Sequence, residues 1–163
     1  MLIDPLAFAQ AGERLSQTVA LRDLDVRLRT HEFLADDSGA FAYTLTGGRD
    51  KWDRLYLDLT VDGSVQLICQ RCLKPLPFAV AEQARIVLFA DEAKLEEAML
   101  SDPDLDGVVV EGPWDVQDLV EDQVLMALPF SPRHSDCDNA DLTRINQDKP
   151  NPFAVLADLP KQR

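Results

Sequence analysis

Two short pairs of residues in the sequence carry side chains that bind metals. Cys69 and Cys72 are three positions apart, and His134 and Cys137 repeat this spacing further along the chain. Thiolate sulfur and imidazole nitrogen are the usual ligands of structural zinc, and three cysteines with one histidine complete a tetrahedral shell. These two pairs include every cysteine of the chain. They are therefore a candidate zinc site, with zinc as the one cofactor that the sequence suggests.

Two other interpretations apply to the first pair. As packing residues, Cys69 would be a small buried hydrophobe and Cys72 part of a turn. As a redox pair, the first thiol would need a helix N-terminus to lower its pKa. The following residues, Leu73-Lys74-Pro75-Leu76-Pro77, include two prolines that prevent a helix. The redox interpretation is therefore set aside, while metal binding and plain packing both stay open.

Strands are predicted on the N-terminal side of the first pair. Apolar and polar residues alternate from Leu55 to Val61, and Asp62-Gly63 then predicts a hairpin turn. A three-residue loop would keep the apolar faces of the two strands together and pair Leu57 with Cys69. We therefore expect a central hairpin around residues 55–69, with Cys69 pointing towards the core.

The other patterns predict helices towards both ends of the chain and strands between them. Predicted helices are residues 4–12, with Asp4 as N-cap and Gly12 at the end, a weak helix at 23–33, residues 91–100, and a helix that is capped by Asp115 and ends at Pro129. Predicted strands are residues 15–21, residues 41–45, ended by Gly47-Gly48, residues 79–90 and residues 108–110. This order indicates an α+β fold in which helices cover one face of an antiparallel sheet.

The chain divides into a domain and a tail. Residues 1–130 are expected to form a single α+β domain. Residues 131–163 are polar and contain several prolines, which predicts an extended C-terminal tail. Within the tail, the stretch NPFAVLADLP at residues 151–160 is a candidate docking segment.

Acidic residues dominate the chain, and most of the excess lies in one segment. The formal net charge is −13, and Lys94 is the one basic residue between positions 89 and 123. Because proteins bind nucleic acids largely through lysine and arginine, this balance argues against a broad RNA-binding face. It favours a basic protein partner, with Asp118, Glu121 and Asp122 as candidate contacts. The alternative is that the charge only keeps the protein soluble.

A small basic spot is expected beside the first cysteine pair. Arg71 and Lys74 flank Cys72 and are candidate binding residues for a phosphate group. An RNA-binding module would use them together with the arginines between positions 14 and 29. The alternative is an ordinary solvated turn.

Neither a membrane anchor nor a secretory leader is predicted. Charged residues interrupt every apolar stretch well before the about 18 residues that a membrane-spanning helix needs. The first residues, Met1 to Pro5, lack the basic and apolar regions of a secretory signal. An odd and small number of cysteines also argues against a disulfide framework. We therefore expect a cytoplasmic protein.

Common catalytic patterns are missing from the sequence. It contains no G-x-S-x-G motif, no phosphate-binding glycine loop and no H-E-x-x-H motif, and His31 and His134 are its only histidines. No small-molecule substrate is evident. These observations predict a protein that is not an enzyme.

Three blocks of sequence resemble one known family. The stretches CQRCLKPL (69–76), DLVEDQVLMALPFSPRHSDC (118–137) and KPNPFAVLADLPK (149–161) occur in this order. Together they resemble the large ribosomal RNA subunit accumulation proteins, the YceD family, of the proteobacterial type. Some relatives in other bacterial groups carry extra cysteine pairs after the long helix, which are similar to zinc sites. This chain has only His134 and Cys137 there.

The resemblance implies a role in the synthesis, processing or stability of 23S ribosomal RNA, and it brings no catalytic residues with it. Combined with the charge, it predicts a non-enzymatic ribosome biogenesis factor that contacts a basic ribosomal protein or assembly factor. Two alternatives stay open. One is an RNA-binding module that contacts the 23S rRNA precursor directly. The other is a metal-dependent RNA-processing enzyme whose acidic residues hold Mg²⁺.

Overall fold

The computed structural model of the protein describes residues 1 to 137. Its helices are α1 (Pro5–Ala11), α2 (Val26–Arg29), α3 (Glu92–Ser101) and α4 (Val116–Ala127). Its strands are β1 (Leu2–Ile3), β2 (Arg14–Ala20), β3 (Ala40–Arg49), β4 (Leu55–Ile68), β5 (Pro75–Phe89), β6 (Gly107–Val109) and β7 (Trp114–Asp115). The predicted docking segment at residues 151–160 lies outside the described part of the chain.

Five strands form the main sheet and follow one another in chain order from β2 to β6. All neighbouring strands are antiparallel except β5 and β6, which are parallel over three residues. Strands β1 and β7 form a separate antiparallel pair. The predicted α+β class with an antiparallel sheet is therefore confirmed.

Strand β4 corrects the predicted position of the central hairpin. It continues through Asp62 and Gly63, pairing with β3 on one side and β5 on the other. A Cβ atom on Gly63 would lie 2.4 Å from the carbonyl oxygen of Ala40, so glycine is needed for the close approach of β3 and does not form a turn. The turn between β4 and β5 lies at residues 69–74 instead. The first cysteine pair is therefore part of a hairpin turn.

The apolar alternation of β4 explains why the burial of Cys69 was nevertheless predicted correctly. Its buried positions keep the same parity on both sides of Gly63, from Leu57 and Leu59 to Val65 and Leu67. Cys69 is the next position in this series and is 0% exposed. The predicted pairing of Leu57 with Cys69 is wrong, because Leu57 pairs with Ile86 of β5.

Two other predicted elements have different bounds. Strand β3 does not end at Gly47-Gly48 but continues to Arg49. A Cβ atom on Gly47 would lie 2.6 Å from the Cα atom of Ala9, so this glycine allows α1 to pack closely against the strand. The helix predicted over residues 23–33 is limited to the four residues of α2.

Helices α1 and α4 pack against the buried side of β4. The main core includes Phe8 and Ala9 from α1, and Val116, Val120 and Val124 from α4. The apolar stripe of α4 recurs every four residues, which is the spacing of one face of a helix. This packing directs the end of α4 across the sheet towards the β4–β5 turn.

Helix α3 lies on the opposite face of the sheet. Leu88 of β5 belongs to the main core, whereas its neighbours Val87 and Phe89 pack with Leu95 of α3 in a smaller cluster. Successive residues of a strand point to opposite faces, so α3 and α4 are separated by the sheet. The expectation that the helices cover a single face is therefore wrong.

The caps of α1 and α4 confirm the predicted helix ends. The side chains of Asp4 and Asp115 each accept a hydrogen bond from a backbone N–H of the first turn, at 3.0 Å. Gly12 ends α1 in the left-handed conformation, with φ at 65°. Among the helices of residues 1–137, none is long and apolar enough to span a membrane.

Candidate metal centre

The β4–β5 turn holds the first two candidate ligands. The backbone N–H of Cys69 donates to the carbonyl of Lys74 at 3.0 Å, and that of Leu73 donates to the carbonyl of Cys69 at 2.9 Å. Leu73 closes the turn with a positive φ of 59°, which is uncommon for a leucine. The turn therefore has a defined backbone shape, which sets the positions of Cys69 and Cys72.

The second pair reaches this turn through the residues that follow α4. Pro132 is buried, and its carbonyl accepts a hydrogen bond from the backbone N–H of Gln70 at 2.8 Å. This contact brings His134 and Cys137 against the turn. Residues 131–137 thus fold back against the β4–β5 turn, whereas the assignment of residues 131–163 to a separate tail stays a prediction.

The four candidate ligand atoms converge on one point. The sulfur atoms of Cys69 and Cys137 are 3.2 Å apart, and Nδ1 of His134 lies 3.4 Å from Sγ of Cys72 and 3.5 Å from Sγ of Cys137. All four atoms lie within 4.8 Å of one another. Around a tetrahedral zinc ion, neighbouring ligand atoms are about 3.3 to 3.8 Å apart. The cluster therefore has dimensions close to those of a zinc shell.

The contact made by Nε2 of His134 supports a ligand role for Nδ1 of the same ring. Nε2 lies 3.1 Å from the carbonyl oxygen of Pro75. A carbonyl can only accept, so Nε2 carries the hydrogen and Nδ1 presents its lone pair to the cysteines. A backbone carbonyl in this position is typical of metal-binding histidines, because it fixes both the tautomer and the ring orientation.

Hydrogen bonds set the protonation of the two closest thiols. Burial alone raises the pKa of Cys69, but backbone N–H groups of the turn and of His134, together with the Cys137 thiol, lower it to about 5. The hydrogen bond to Cys69, with burial, raises the pKa of Cys137 to about 11. These shifts favour loss of the proton from Cys69 before Cys137. A bound cation would replace the remaining proton and leave both as thiolates.

The donor set fits structural zinc. Three sulfurs and one nitrogen complete the four positions of a tetrahedral shell, and catalytic zinc sites instead keep one position open for water or substrate. The three cysteines are free thiols, and the distance of 3.2 Å between Cys69 and Cys137 is far longer than a disulfide bond. A metal here would join the β4–β5 turn to residues 131–137.

The other residues singled out in the sequence lie in different places. Arg71 and Lys74 are exposed on the turn, whereas Asp118 and Asp122 are exposed on α4. Glu121 does not share the surface of Asp118 and Asp122, because it is only 2% exposed. The structure therefore keeps Asp118 and Asp122 at the surface and removes Glu121 from it.

Glu121 has a structural environment of its own. Its Oε2 accepts a hydrogen bond from the backbone N–H of Asp25 at 3.2 Å, and its Oε1 lies 3.4 Å from the guanidinium of Arg27. The sequence contained a signal for this burial, since Glu121 directly follows Val120 and precedes Val124 by three positions in the apolar stripe of α4. Its role is therefore to join α4 to the start of α2.

Sequence reasoning also missed three groups that build the cluster. The carbonyls of Pro75 and Pro132 and the backbone N–H of Gln70 all take part, and backbone groups carry no mark in a sequence. They can be recognised only when the turn and the segment after α4 are placed together.

Comparison with known proteins identifies the family. The family model described as large ribosomal RNA subunit accumulation protein YceD matches residues 57–160, which is more than half of the chain. That range contains both pairs of candidate ligands. Searches of the curated proteins and of the solved structures gave no match. The chain belongs to the YceD family of large ribosomal RNA subunit accumulation proteins.

Proposed function

We propose that the protein is a non-enzymatic, cytoplasmic factor in ribosome biogenesis that supports the synthesis, processing or stability of 23S rRNA by contacting a basic protein. Family membership supports the part that concerns the RNA of the large subunit. The partner would be a ribosomal protein or an assembly factor, because many such proteins must carry positive charge to bind rRNA.

The observation that carries the proposed partner is the exposure of the acidic segment, residues 91–122. Its exposed carboxylates without an ion pair among the described residues include Glu92, Glu96, Glu97, Asp104, Asp106 and Asp118. Such groups attract a cationic partner over a distance of about 10 Å at moderate salt. They would raise the rate of association and select against other acidic macromolecules.

A matched pair of variants tests this proposal. The acidic-segment variant is Glu96→Gln/Glu97→Gln/Asp118→Asn, and the control Glu13→Gln/Glu32→Gln/Glu82→Gln removes the same charge from exposed acids elsewhere. We measure retention of purified large-subunit proteins and of bare 23S rRNA on the immobilised full chain at rising salt. Loss of protein retention in the first variant alone is the expected result.

Complementation gives a second measurement in cells that lack the endogenous protein. The control should restore the ratio of 23S to 16S rRNA, and the acidic-segment variant should not. Retention of bare 23S rRNA but of no basic protein would overturn the proposal. Cleavage of 23S precursor on addition of Mg²⁺ would instead support the processing enzyme.

We also propose that Cys69, Cys72, His134 and Cys137 bind one zinc ion as a structural site. The convergence of their four ligand atoms and the carbonyl behind His134 support this assignment. Protein purified without chelators or a metal-affinity tag should contain close to one equivalent of zinc. Less than about 0.2 equivalents would reject the site, since structural zinc binds tightly enough to stay nearly full.

A further inference from the structure

The β4–β5 turn and the segment that folds against it are poor in acidic residues. No aspartate or glutamate occurs between Asp62 and Glu82, or between Asp122 and Asp136. This is unusual in a chain of net charge −13. The segment that reaches the turn, residues 131–137, contains one carboxylate, Asp136. Asp138 follows it in the sequence. Within residues 1–137, the β4–β5 turn and residues 131–137 therefore carry fewer acids than the rest of the sequence.

Three basic side chains are exposed at this end. Arg71 and Lys74 lie on the turn, and Arg133 lies next to His134. Among the described residues, none of the three forms an ion pair with a carboxylate. The Nε–H group of Arg133 donates to the hydroxyl of Ser131 at 3.2 Å, and its terminal guanidinium nitrogens form no hydrogen bond or ion pair among these residues. The three cations are thus available to an anionic ligand.

Two large apolar side chains are exposed within a few residues of these cations. Leu73 is 75% exposed at the point of the turn where φ is positive. Phe130 is fully exposed, and it lies two residues before the buried Pro132 that anchors the segment to the turn. The turn and the anchored segment therefore present a leucine and an aromatic ring to solvent, together with cations that form no ion pair within residues 1–137.

We propose that the protein binds single-stranded RNA through one exposed surface, which we name the knuckle surface. It consists of Arg71, Leu73, Lys74, Phe130 and Arg133. Lysine and arginine neutralise phosphates, and an exposed ring can stack on an unpaired base of any sequence. Zinc knuckles are one of the modules that recognise RNA, and this part of the comparison rests on the zinc site proposed above. The contact is local, so the acidic segment stays free for a protein partner, and the inference does not depend on the identity of that partner.

The arginines between positions 14 and 29 provide the comparison. Arg14, Arg22 and Arg29 are also exposed and outside the ion pairs of the described residues. They are interspersed with acids such as Glu13 and Asp23, and this neutralises their local charge. Exposure and positive charge alone thus do not distinguish the two sets. The knuckle surface differs in its scarcity of nearby acids and in its aromatic ring.

The test measures RNA binding by the full chain as purified without chelators. Fluorescence anisotropy with a labelled single-stranded RNA of twelve nucleotides and mixed sequence follows binding from 50 to 200 mM salt. The knuckle variant Arg71→Ala/Lys74→Ala/Arg133→Ala is compared with the control Arg14→Ala/Arg22→Ala/Arg29→Ala, which has the same net charge. Circular dichroism and zinc content confirm that each variant is folded.

The knuckle variant should bind at least tenfold more weakly at 50 mM salt, and the control should stay within twofold of the wild type. The slope of log K against log salt should fall by about 2, since each phosphate contact on a single strand contributes about 0.7. Phe130→Ala should weaken binding by about tenfold through loss of stacking, with little change in this slope.

Three results would overturn the inference. They are no RNA binding by the wild type at 50 mM salt, equal losses in both triple variants, and equally tight binding of a poly-glutamate peptide of similar charge. The last result would indicate an acidic protein partner. The acidic-segment variant should retain RNA binding, so a failure of this inference and a failure of the proposed protein contact are observed separately.

Discussion

At the scale of single residues, the buried carboxylate of Glu121 shows how charge can serve structure in this protein. Its Oε1 has no hydrogen-bond partner among the described residues. The guanidinium of Arg27 forms an ion pair with this oxygen at 3.4 Å. Arg27 also lies 3.5 Å from carboxylates of Asp25 and Asp122, so one exposed guanidinium is shared among three acids. A buried charge is costly when its partner is removed.

Arg27→Met should therefore destabilise the fold. The substitution keeps an apolar side chain but removes the cation, and we expect the free energy of unfolding to fall by about 1 to 2 kcal/mol, since Arg27 is itself largely exposed. Urea unfolding measures this change. Adding Glu121→Gln should recover part of the loss, because the neutral amide no longer needs a cation.

The matched control is Arg29→Met, which removes an exposed arginine from the same helix. It should cost less than about 0.5 kcal/mol, as surface substitutions usually do. An equal cost for both substitutions would show that the loss comes from α2 itself and not from the unpaired Glu121.

At the scale of elements, the sheet depends on a glycine in the interior of β4, where this strand pairs with β3. Gly63 lies within β4, opposite Phe41 of β3. A Cβ atom there would approach Phe41 Cδ1 to 2.5 Å and the Ala40 carbonyl oxygen to 2.4 Å. The absence of a side chain therefore allows the two strands to stay paired along their whole length.

Gly63→Ala should lower the free energy of unfolding by about 1 to 3 kcal/mol, because the neighbouring strand must move to accept the methyl group. Gly112→Ala is the control, since its Cβ atom would meet nothing within 4 Å. Urea unfolding of both variants gives the comparison. Equal effects of the two substitutions would mean that Gly63 has open space around it. That result would contradict the close contact between Gly63 and β3.

These strands also show what the sequence could predict. The two-residue period identified the buried face of β4 and the burial of Cys69, because period and face follow from local backbone geometry. It could not place the turn, since Asp-Gly is common in hairpins and Gly63 is also required by a neighbour distant in the sequence. Residue types and spacing likewise suggested the four ligands. Their convergence depends on the contact between Gln70 and Pro132, which no local pattern encodes.

At the scale of the whole molecule, the candidate metal would link the β4–β5 turn to residues 131–137. The main core holds the sheet, α1 and α4, and its buried members do not include any of the four ligands. Residues 131–137 are attached through the hydrogen bonds of Pro132 and His134 and through the ligand cluster. The sheet should therefore remain folded without metal, and the attachment of this segment should not.

His134→Ala should release the segment without unfolding the sheet. We expect zinc content to fall by at least fivefold, far-ultraviolet circular dichroism to stay unchanged, and proteolysis near residues 129–137 to become faster. Hydrogen exchange measured by mass spectrometry should show the same loss of protection at Gln70. His31→Ala is the control, since His31 lies outside the cluster.

Removal of zinc from the wild type with a chelator should reproduce the effect of His134→Ala, and returning zinc should reverse it only in the wild type. Global unfolding on chelation would contradict this account, because it would mean that the core depends on the metal.

The spacing of the ligands also has a consequence for the order of folding. The contacts between the two pairs join residues 62 and 68 positions apart in the chain. Closing so long a loop is entropically costly in an unfolded chain, whereas the completed sheet and α4 bring the ends together. During synthesis, Cys137 leaves the ribosome after every strand of the main sheet. Metal capture would therefore be a late event that occurs only in chains whose sheet has already formed.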